Sequence, residues 1–286
     1  MAVPAALGDA IERATGARPE GGQRLSGGCV GEVYRLDLSD GRRVVAKIGG
    51  PGGGLALEGW MLTYLEEHSN LPVPSVVHAS DELLVMDYVE SGGGLDARAQ
   101  AHAAELLAEL HGVGAPRFGL VRDTVIGGLP QPNPESASWL ALFRDHRLLY
   151  MGREALAAGR LPASLMGRIE SFAAHLGRWL DEPEQASLIH GDMWGGNILA
   201  KGGRITGFVD PAIYYADPEI ELAFSTMFAT FTDPFFDRYG ELRPLRPGFF
   251  EVRRDIYNLY PLLVHVRLFG GGYVDGVAST LKKFGF

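Results

Sequence analysis

Asp192, Asn197 and Asp210 are the side chains whose types and spacing are best suited to chemistry. The first two lie in His190-Gly191-Asp192-Met193-Trp194-Gly195-Gly196-Asn197, and the third follows a short hairpin pattern. Phosphoryl transfer needs a carboxylate to accept the acceptor hydroxyl's proton and oxygen ligands for a magnesium ion bridging the phosphates. An Asp followed five residues later by Asn matches the D-x-x-x-x-N spacing of phosphoryl-transfer catalytic loops. A second Asp beyond a hairpin can return to the same metal, and Asp and Asn offer the hard oxygen ligands magnesium prefers. On this basis Asp192 is the candidate base, and Asn197 and Asp210 are the candidate Mg2+ ligands. Asp and Asn in a Gly-rich loop also close turns through Asx hydrogen bonds, and for the pair alone that plainer role is the better reading. The apolar Leu188-Ile189 before it, the hairpin after it and the second Asp tip the balance toward catalysis.

Two weaker patterns precede this one in the order a nucleotide site requires. Ser26-Gly27-Gly28-Cys29-Val30-Gly31 leads into a hairpin, and its glycines (Gly27, Gly28, Gly31) would let backbone N–H groups approach phosphate oxygens without a Cβ in the way. A full G-x-G-x-x-G pattern would want glycine where Ser26 stands, and a plain hairpin turn accounts for the segment in isolation. Lys47, in Val44-Val45-Ala46-Lys47, resembles the V-A-I-K strand lysine that meets the α- and β-phosphates. Glu58, near the start of the next helical pattern, supplies the ion-pair partner that such a lysine requires. Leu84-Val85-Met86-Asp87-Tyr88-Val89 could present backbone groups of Met86, Asp87 and Tyr88 to an adenine; a buried strand running into a linker is the alternative.

Other conspicuous residues have plainer roles. Asp217, Glu219 and Glu221 could support the catalytic loop or cap the helix near Pro218, capping being the expected role. Met61, Phe224, Met227, Phe228 and Phe231 recur at helical spacing and are assigned to the core. The eight histidines show no H-x-x-x-H pattern, which speaks against zinc, and His190 is expected to order the catalytic loop through a backbone contact. Cys29, the single cysteine, is read as a small unreactive side chain, because nothing basic adjoins it. Trp194, two residues after Asp192, could pack against an acceptor molecule or fill the core, and both options stand.

The elements that must position these residues divide unevenly. Residues 1–88 read as β-rich with one helix: alternation over Glu32–Leu38, a Ser39-Asp40-Gly41 turn, alternation again at Val44, Ala46 and Ile48, an apolar stripe over Leu57–Glu67, and a strand from Leu83 to Tyr88. After Ser91-Gly92-Gly93-Gly94, residues 89–286 are mostly helical (Ala101–Leu110, Ser138–Tyr150, Ser164–Leu180). Only Asn197–Ala200 and Arg204–Val209 read as strands there. The predicted fold class is α+β: a protein-kinase-like, two-lobed fold with a β-rich N-lobe and a mainly helical C-lobe. A net charge of −9 and a pI near 5.4 disfavour nucleic acid as a partner. The longest late apolar stretch, Leu259–Phe269, is broken by His265 and Arg267 and is too short to span a bilayer. No signal-peptide pattern is visible, so a cytoplasmic protein with no membrane partner is expected, its oligomeric state open.

At these residues the chain resembles the fructosamine kinase (ketosamine 3-kinase) family, relatives of the aminoglycoside and choline kinases. The likeness runs through Phe118-Gly119, Ile126-Gly127, Gln131, Asn133 and Ser138-Trp139 to the catalytic loop. It continues in Asp210-Pro211-Ala212, Tyr214-Tyr215, Asp217-Pro218-Glu219 and Glu221-Leu222-Ala223, and ends in His265-Val266-Arg267-Leu268-Phe269-Gly270-Gly271-Gly272-Tyr273. The resemblance implies ATP-dependent phosphorylation of the O3 hydroxyl of a ketosamine, a fructosyl- or ribulosyl-amine, free or on glycated protein. The unstable 3-phosphate then sheds its sugar, which is deglycation. It also implies ATP and Mg2+ as cofactors and places Trp194, His265 and Arg267 on the acceptor side. Arg267 departs from the family pattern where Asn is expected before Leu-Phe-Gly, as do Pro218, where Arg is common, and Glu221, where Asp is common. An aminoglycoside or other small-alcohol kinase and a non-catalytic nucleotide-binding module are the alternatives.

Overall fold

The structure is a computed structural model that describes residues 5–25, 31–50 and 53–286. It opens with helix α1 (Ala5–Thr15), then strands β1 (Pro19–Leu25), β2 (Glu32–Leu38) and β3 (Arg43–Ile48), helix α2 (Leu55–His68), and strands β4 (Val76–Ala79) and β5 (Leu83–Asp87). The five strands form one antiparallel sheet in the order β1-β2-β3-β5-β4. Period-2 alternation explains how it is covered. Leu36, Leu38, Val44, Ala46 and Val85 face α1 through Leu7 and Ile11. Leu84 and Met86 project to the other side, against Leu55 and Leu62 of α2.

This lobe holds three elements more than the sequence reading allowed for: α1, β1 and β4. Helix α1 buries Leu7 and Ile11, one turn apart, on the outer face of the sheet. Strand β1 has no apolar alternation in PEGGQRL; it exists because its backbone pairs with β2.

The second part is mainly helical: α3 (Ala97–Leu110), α4 (Trp139–Phe143), α5 (Tyr150–Ala157), α6 (Ala163–Ala173), α7 (Glu219–Met227), α8 (Asp233–Leu242), α9 (Arg254–Tyr257), α10 (Leu259–Phe269) and α11 (Gly272–Lys283). Helix α3 starts earlier than its apolar stripe suggested, because Asp96 caps it by accepting the Ala99 N–H at 2.9 Å. The helix expected over Ser138–Tyr150 is interrupted by a π-helical turn, Arg144–Leu149. There the buried Arg147 guanidinium donates to Asn133 Oδ1 (2.5 Å) and the Pro132 carbonyl (2.7 Å).

Short strands fill the space between helices. β6 (Gly114–Ala115), β9 (Ala186–Ile189) and β12 (Tyr214–Ala216) form a three-stranded sheet in the order β12-β9-β6. β7 (Thr124–Ile126) with β8 (Leu129–Gln131), and β10 (Ile198–Lys201) with β11 (Arg204–Phe208), form two hairpins. The β10–β11 hairpin is the one anticipated between Asn197 and Val209. Buried Met61, Leu65 and Leu71, the first two on α2, join the core of the helical part, so the lobes share apolar packing along that helix. The fold is thus α+β and two-lobed, as expected. Among the described residues no helix is long and apolar enough to cross a membrane.

Candidate active site

The catalytic-loop motif leaves β9 and enters β10. Gly191 adopts φ +88°, and a Cβ there would lie 2.1 Å from the Ala212 carbonyl oxygen, so only glycine permits this turn. His190 is fully buried and donates from Nε2 to the Val209 carbonyl (3.0 Å), tying the loop to the end of β11 as expected for its ordering role. Burial holds the His190 pKa below its ordinary value and its ring neutral. Asn197 is buried and donates Nδ2 to both the backbone oxygen and Oδ2 of Asp192, each at 2.9 Å. With the NH2 group spent in this way, Oδ1 is the Asn197 atom that a metal ion would meet. Burial pushes the Asp192 carboxyl up to about 7, against the opposing hydrogen bond from Asn197. A carboxyl poised there is suited to taking up and releasing a proton near neutrality.

Asp210 follows β11 and has φ +54°, a left-handed conformation unusual for a residue other than glycine. Its Oδ1 accepts a hydrogen bond from Lys47 Nζ, which crosses from β3 in the other lobe. Lys47 also donates to Glu58 Oε1 on α2 at 2.7 Å. Burial works against the Lys47 charge, but the two carboxylates outweigh it and its pKa is raised. Burial likewise lifts Glu58, with Lys47 holding it back. The five residues 47, 58, 192, 197 and 210, scattered through the sequence, therefore converge where the lobes meet.

Two hollows meet there. One, about 490 Å³, lies between the lobes and is lined by Lys47, Glu58, Asp192, Asn197 and Asp210, with Met86, Asp87 and Tyr88 at its back. Leu25, Val33, Val45 and Leu199 give it the apolar walls a purine ring would need. The other, about 740 Å³, lies within the helical lobe and is lined by Asp192, Trp194, Tyr214, Phe228, Tyr260 and His265 among others. Asp192 and Trp194 line both. Among the described residues no three His, Cys, Asp or Glu side chains form a metal cage by themselves. The all-oxygen pair Asn197 and Asp210 fits Mg2+, an ion that normally keeps waters and substrate phosphate oxygens in its shell.

The remaining expectations divide. Gly31 has φ +83°, and a Cβ there would meet the Ile48 carbonyl oxygen at 2.1 Å, so the chain passes close over β3. Gly27, Gly28 and Cys29 lie outside the described residues. Trp194 is 39% exposed and stands at the junction of the hollows, so it does not fill the core. His265 faces the larger hollow; Arg267 lines neither, and its backbone carbonyl accepts a hydrogen bond from Arg160 at 3.0 Å. Phe228 was assigned to the core with its helical neighbours, yet it is 43% exposed and lines the larger hollow. It sits just past the end of α7, where the chain turns away from the core.

Glu221 corrects the capping expectation. Its Oε1 accepts the Gly191 backbone N–H at 2.6 Å, and its Oε2 accepts from His111 Nε2 at 2.9 Å. His111 Nδ1 is in turn 2.8 Å from the Tyr239 hydroxyl. Glu221 is thus a strut under the catalytic loop. Complete burial opposes its charge, but the contacts from His111, His190 and the Gly191 N–H hold its pKa below the ordinary value. Asp217 accepts the Glu219 N–H (2.9 Å) and so serves the helix start as anticipated, while its other oxygen accepts from Tyr257 (2.8 Å). Glu219 instead pairs with Arg253 through two bonds of 2.5 and 2.8 Å. Neither His111 nor Tyr239 carries a local sequence signal, since His111 stands 110 residues from Glu221 and 128 from Tyr239 in the chain.

Comparison with known proteins agrees with this geometry. A family model described as fructosamine kinase matches residues 5–284. A probable ketoamine kinase of Synechocystis is 32% identical over 277 residues, covering 91% of this chain and 88% of that protein. A chloroplastic protein-ribulosamine 3-kinase of rice (Oryza sativa) is 30% identical over 274 residues, covering 91% and 77%. The crystal structure of a putative fructosamine-3-kinase from Thermobifida fusca superposes with a TM-score of 0.88 at 29% identity, covering 98% of this chain and 100% of that one. An aminoglycoside phosphotransferase in complex with AMP-PNP and hygromycin B shares the fold at a TM-score of 0.68 and 18% identity, covering 98% and 96%. On the match across nearly its whole length, the chain belongs to the fructosamine kinase family.

Proposed function

We propose that this protein transfers the γ-phosphoryl group of ATP to the O3 hydroxyl of a ketosamine, a fructosyl- or ribulosyl-amine, free or attached to protein. The observation that carries the reading is Asp192 standing in the wall shared by both hollows, with Lys47, Asn197 and Asp210 around it. The chain crosses between the lobes at residues 88–89, residues 1–88 forming the nucleotide lobe.

ATP lies in the interlobe hollow, its adenine between the apolar walls and beside the backbone of Met86, Asp87 and Tyr88. Gly27, Gly28 and Gly31 cover the phosphates, and Lys47, oriented by Glu58, meets the α- and β-phosphate oxygens. Asn197 and Asp210 would hold Mg2+, which would supply positive charge against that building on the transferring group. Asp192 aligns the sugar hydroxyl and accepts its proton as the oxygen–phosphorus bond forms and ADP departs. Trp194 offers its ring to a C–H face of the sugar. The O3 phosphate sits on the carbon next to the C2 carbonyl: loss of a C1 proton gives a 1,2-enaminol from which phosphate leaves C3, and water then hydrolyses the resulting C1 imine to release the amine, which is deglycation.

The test is ATP consumption with a panel of ribulosyl-lysine, kanamycin and choline. Turnover confined to the first supports the proposal; turnover only with kanamycin or choline points to a different small-alcohol kinase, and nucleotide binding without turnover on any acceptor points to a non-catalytic module. With the productive acceptor, Asp192→Asn lowers kcat at least about a hundredfold, the usual worth of a positioned proton acceptor, with ATP affinity little changed. Near-normal kcat in that variant removes Asp192 from the role.

A further inference from the structure

The larger hollow has an unusual charge balance. Among the described residues, the ionisable side chains in its lining apart from tyrosines are Asp192, Glu221 and His265, with no lysine or arginine. Glu221 is already committed to Gly191 and His111. Aromatic rings make up much of the rest, concentrated around His265. Its ring centroid is 5.2 Å from Phe228, 5.7 Å from Phe269 and 4.8 Å from Tyr273.

His265 has a defined hydrogen-bonding direction. Its Nδ1 is 2.7 Å from the Pro261 carbonyl oxygen, which can only accept, so Nδ1 carries the hydrogen. Burial holds its pKa below the ordinary value. The imidazole is therefore neutral, and its Nε2 is a lone-pair acceptor for which the described residues supply no hydrogen-bond donor. Three aromatic rings and one acceptor nitrogen, in a hollow whose remaining acid, Asp192, can add only negative charge, are chemically matched to an organic ammonium with hydrocarbon around it. They are mismatched to a carboxylate, which would lose its water and find no cation.

The collar is continuous with the reaction centre. Trp194, which lines both hollows, packs edge-on against Phe228 with ring centroids 6.5 Å apart. At the other end Phe269 is 60% exposed, so a substituent longer than the sugar can leave past it. A ketosamine carries its nitrogen on C1, two carbons from the reacting C3, and that nitrogen is a secondary ammonium near neutral pH.

Resting on the ketosamine reading above, we propose that Phe228, His265, Phe269 and Tyr273 form the subsite for the amine end of the acceptor. The collar selects ketosamines whose ammonium carries an alkyl or aromatic substituent and rejects those with a carboxylate beside the nitrogen. Adducts of simple amines, or of a lysine side chain within a peptide, fit. Adducts on the α-amine of a free amino acid do not.

The test compares kcat/KM of the full-length enzyme, with ATP and Mg2+, on the ribulosyl adducts of benzylamine, glycinamide and glycine. Glycinamide and glycine are close in shape and differ in the anion. The expected order is benzylamine, then glycinamide, then glycine, with benzylamine over glycine by at least about tenfold. Phe228→Ala should raise KM for the benzylamine adduct several-fold with kcat retained, and narrow its advantage over glycine; Phe269→Ala, at the exposed rim, is a second variant should the first fold poorly. Equal kcat/KM for the glycine and glycinamide adducts overturns the collar's selectivity while leaving the kinase reading intact. An unchanged benzylamine-to-glycine ratio in both variants overturns the assignment of the subsite. Phosphorylation of none of the three adducts overturns the ketosamine reading, and the subsite with it.

Discussion

Lys47 shows most clearly what a single residue does here. Its ammonium is shared between Glu58 on its own lobe and Asp210 on the other, so it positions a candidate metal ligand as well as facing the nucleotide hollow. Removing it would leave two carboxylates near each other without a cation, a situation that costs more than a lost surface pair. Lys47→Ala is expected to lower kcat/KM for ATP by about a hundredfold or more, as loss of a charged transition-state contact does, while the acceptor KM stays within a few-fold; steady-state kinetics with each substrate varied in turn would show it. Unaltered kinetics would mean that the lysine does not reach the phosphates. Glu58→Gln should be milder, because Asp210 remains to hold the ammonium. The D-x-x-x-x-N spacing and the strand lysine were legible in the sequence because both are local patterns, each set by one loop or one strand.

At the scale of elements, the catalytic loop is a turn between β9 and β10 supported from beneath by α7. Glu221 near the start of α7 takes the Gly191 N–H, and through His111 it reaches α3 and, by way of Tyr239, α8. Glu221→Ala would leave a buried N–H and a buried imidazole nitrogen without partners, at roughly 1–3 kcal/mol for each. It should therefore lower both Tm and kcat. Glu221→Gln, which still offers an amide oxygen to Gly191, should recover much of the Tm. A comparison of melting curves and turnover in the two variants checks this; an Ala variant as active and stable as the wild type would show that the strut carries no load. The sequence alone left this role open, since a carboxylate near a helix start is ordinarily a cap. Which of three neighbouring acids turns toward the loop depends on how α7 is rotated against β9.

For the molecule as a whole, the relation between lobes matters most. Helix α2 is packed into both: Met61 and Leu65 belong to the helical lobe's core, while Leu55 and Leu62 sit under the sheet. The Tyr64 hydroxyl meets the Tyr215 hydroxyl at 3.1 Å, and the Phe208 N–H donates to the Pro72 carbonyl at 2.8 Å. A nucleotide seated between lobes joined in this way binds the folded state and not the unfolded chain, so it must raise thermal stability. At a hundred times its Kd, AMP-PNP with Mg2+ should contribute about 2.7 kcal/mol, seen as a Tm increase of several degrees. The same nucleotide with EDTA should give a smaller shift if Asn197 and Asp210 hold the metal. Equal shifts with and without magnesium would remove that assignment.

The sequence by itself determined the family, the two-lobed α+β plan, the candidate base and metal ligands, and the lysine–glutamate pair. The family came from resemblance in motifs spread along the chain; the rest follows from short-range spacing and from alternation of apolar residues, which depend on local backbone geometry alone. Only the tertiary structure decided that Asp192 faces two hollows, that Glu221 braces the loop, that Phe228 lines the larger hollow, that Arg267 lines neither, and that α1, β1 and β4 complete the N-lobe. Each of those depends on contacts between segments far apart in the chain, or on which way a helix is turned. Residue type and periodicity carry no record of either until the packing is complete.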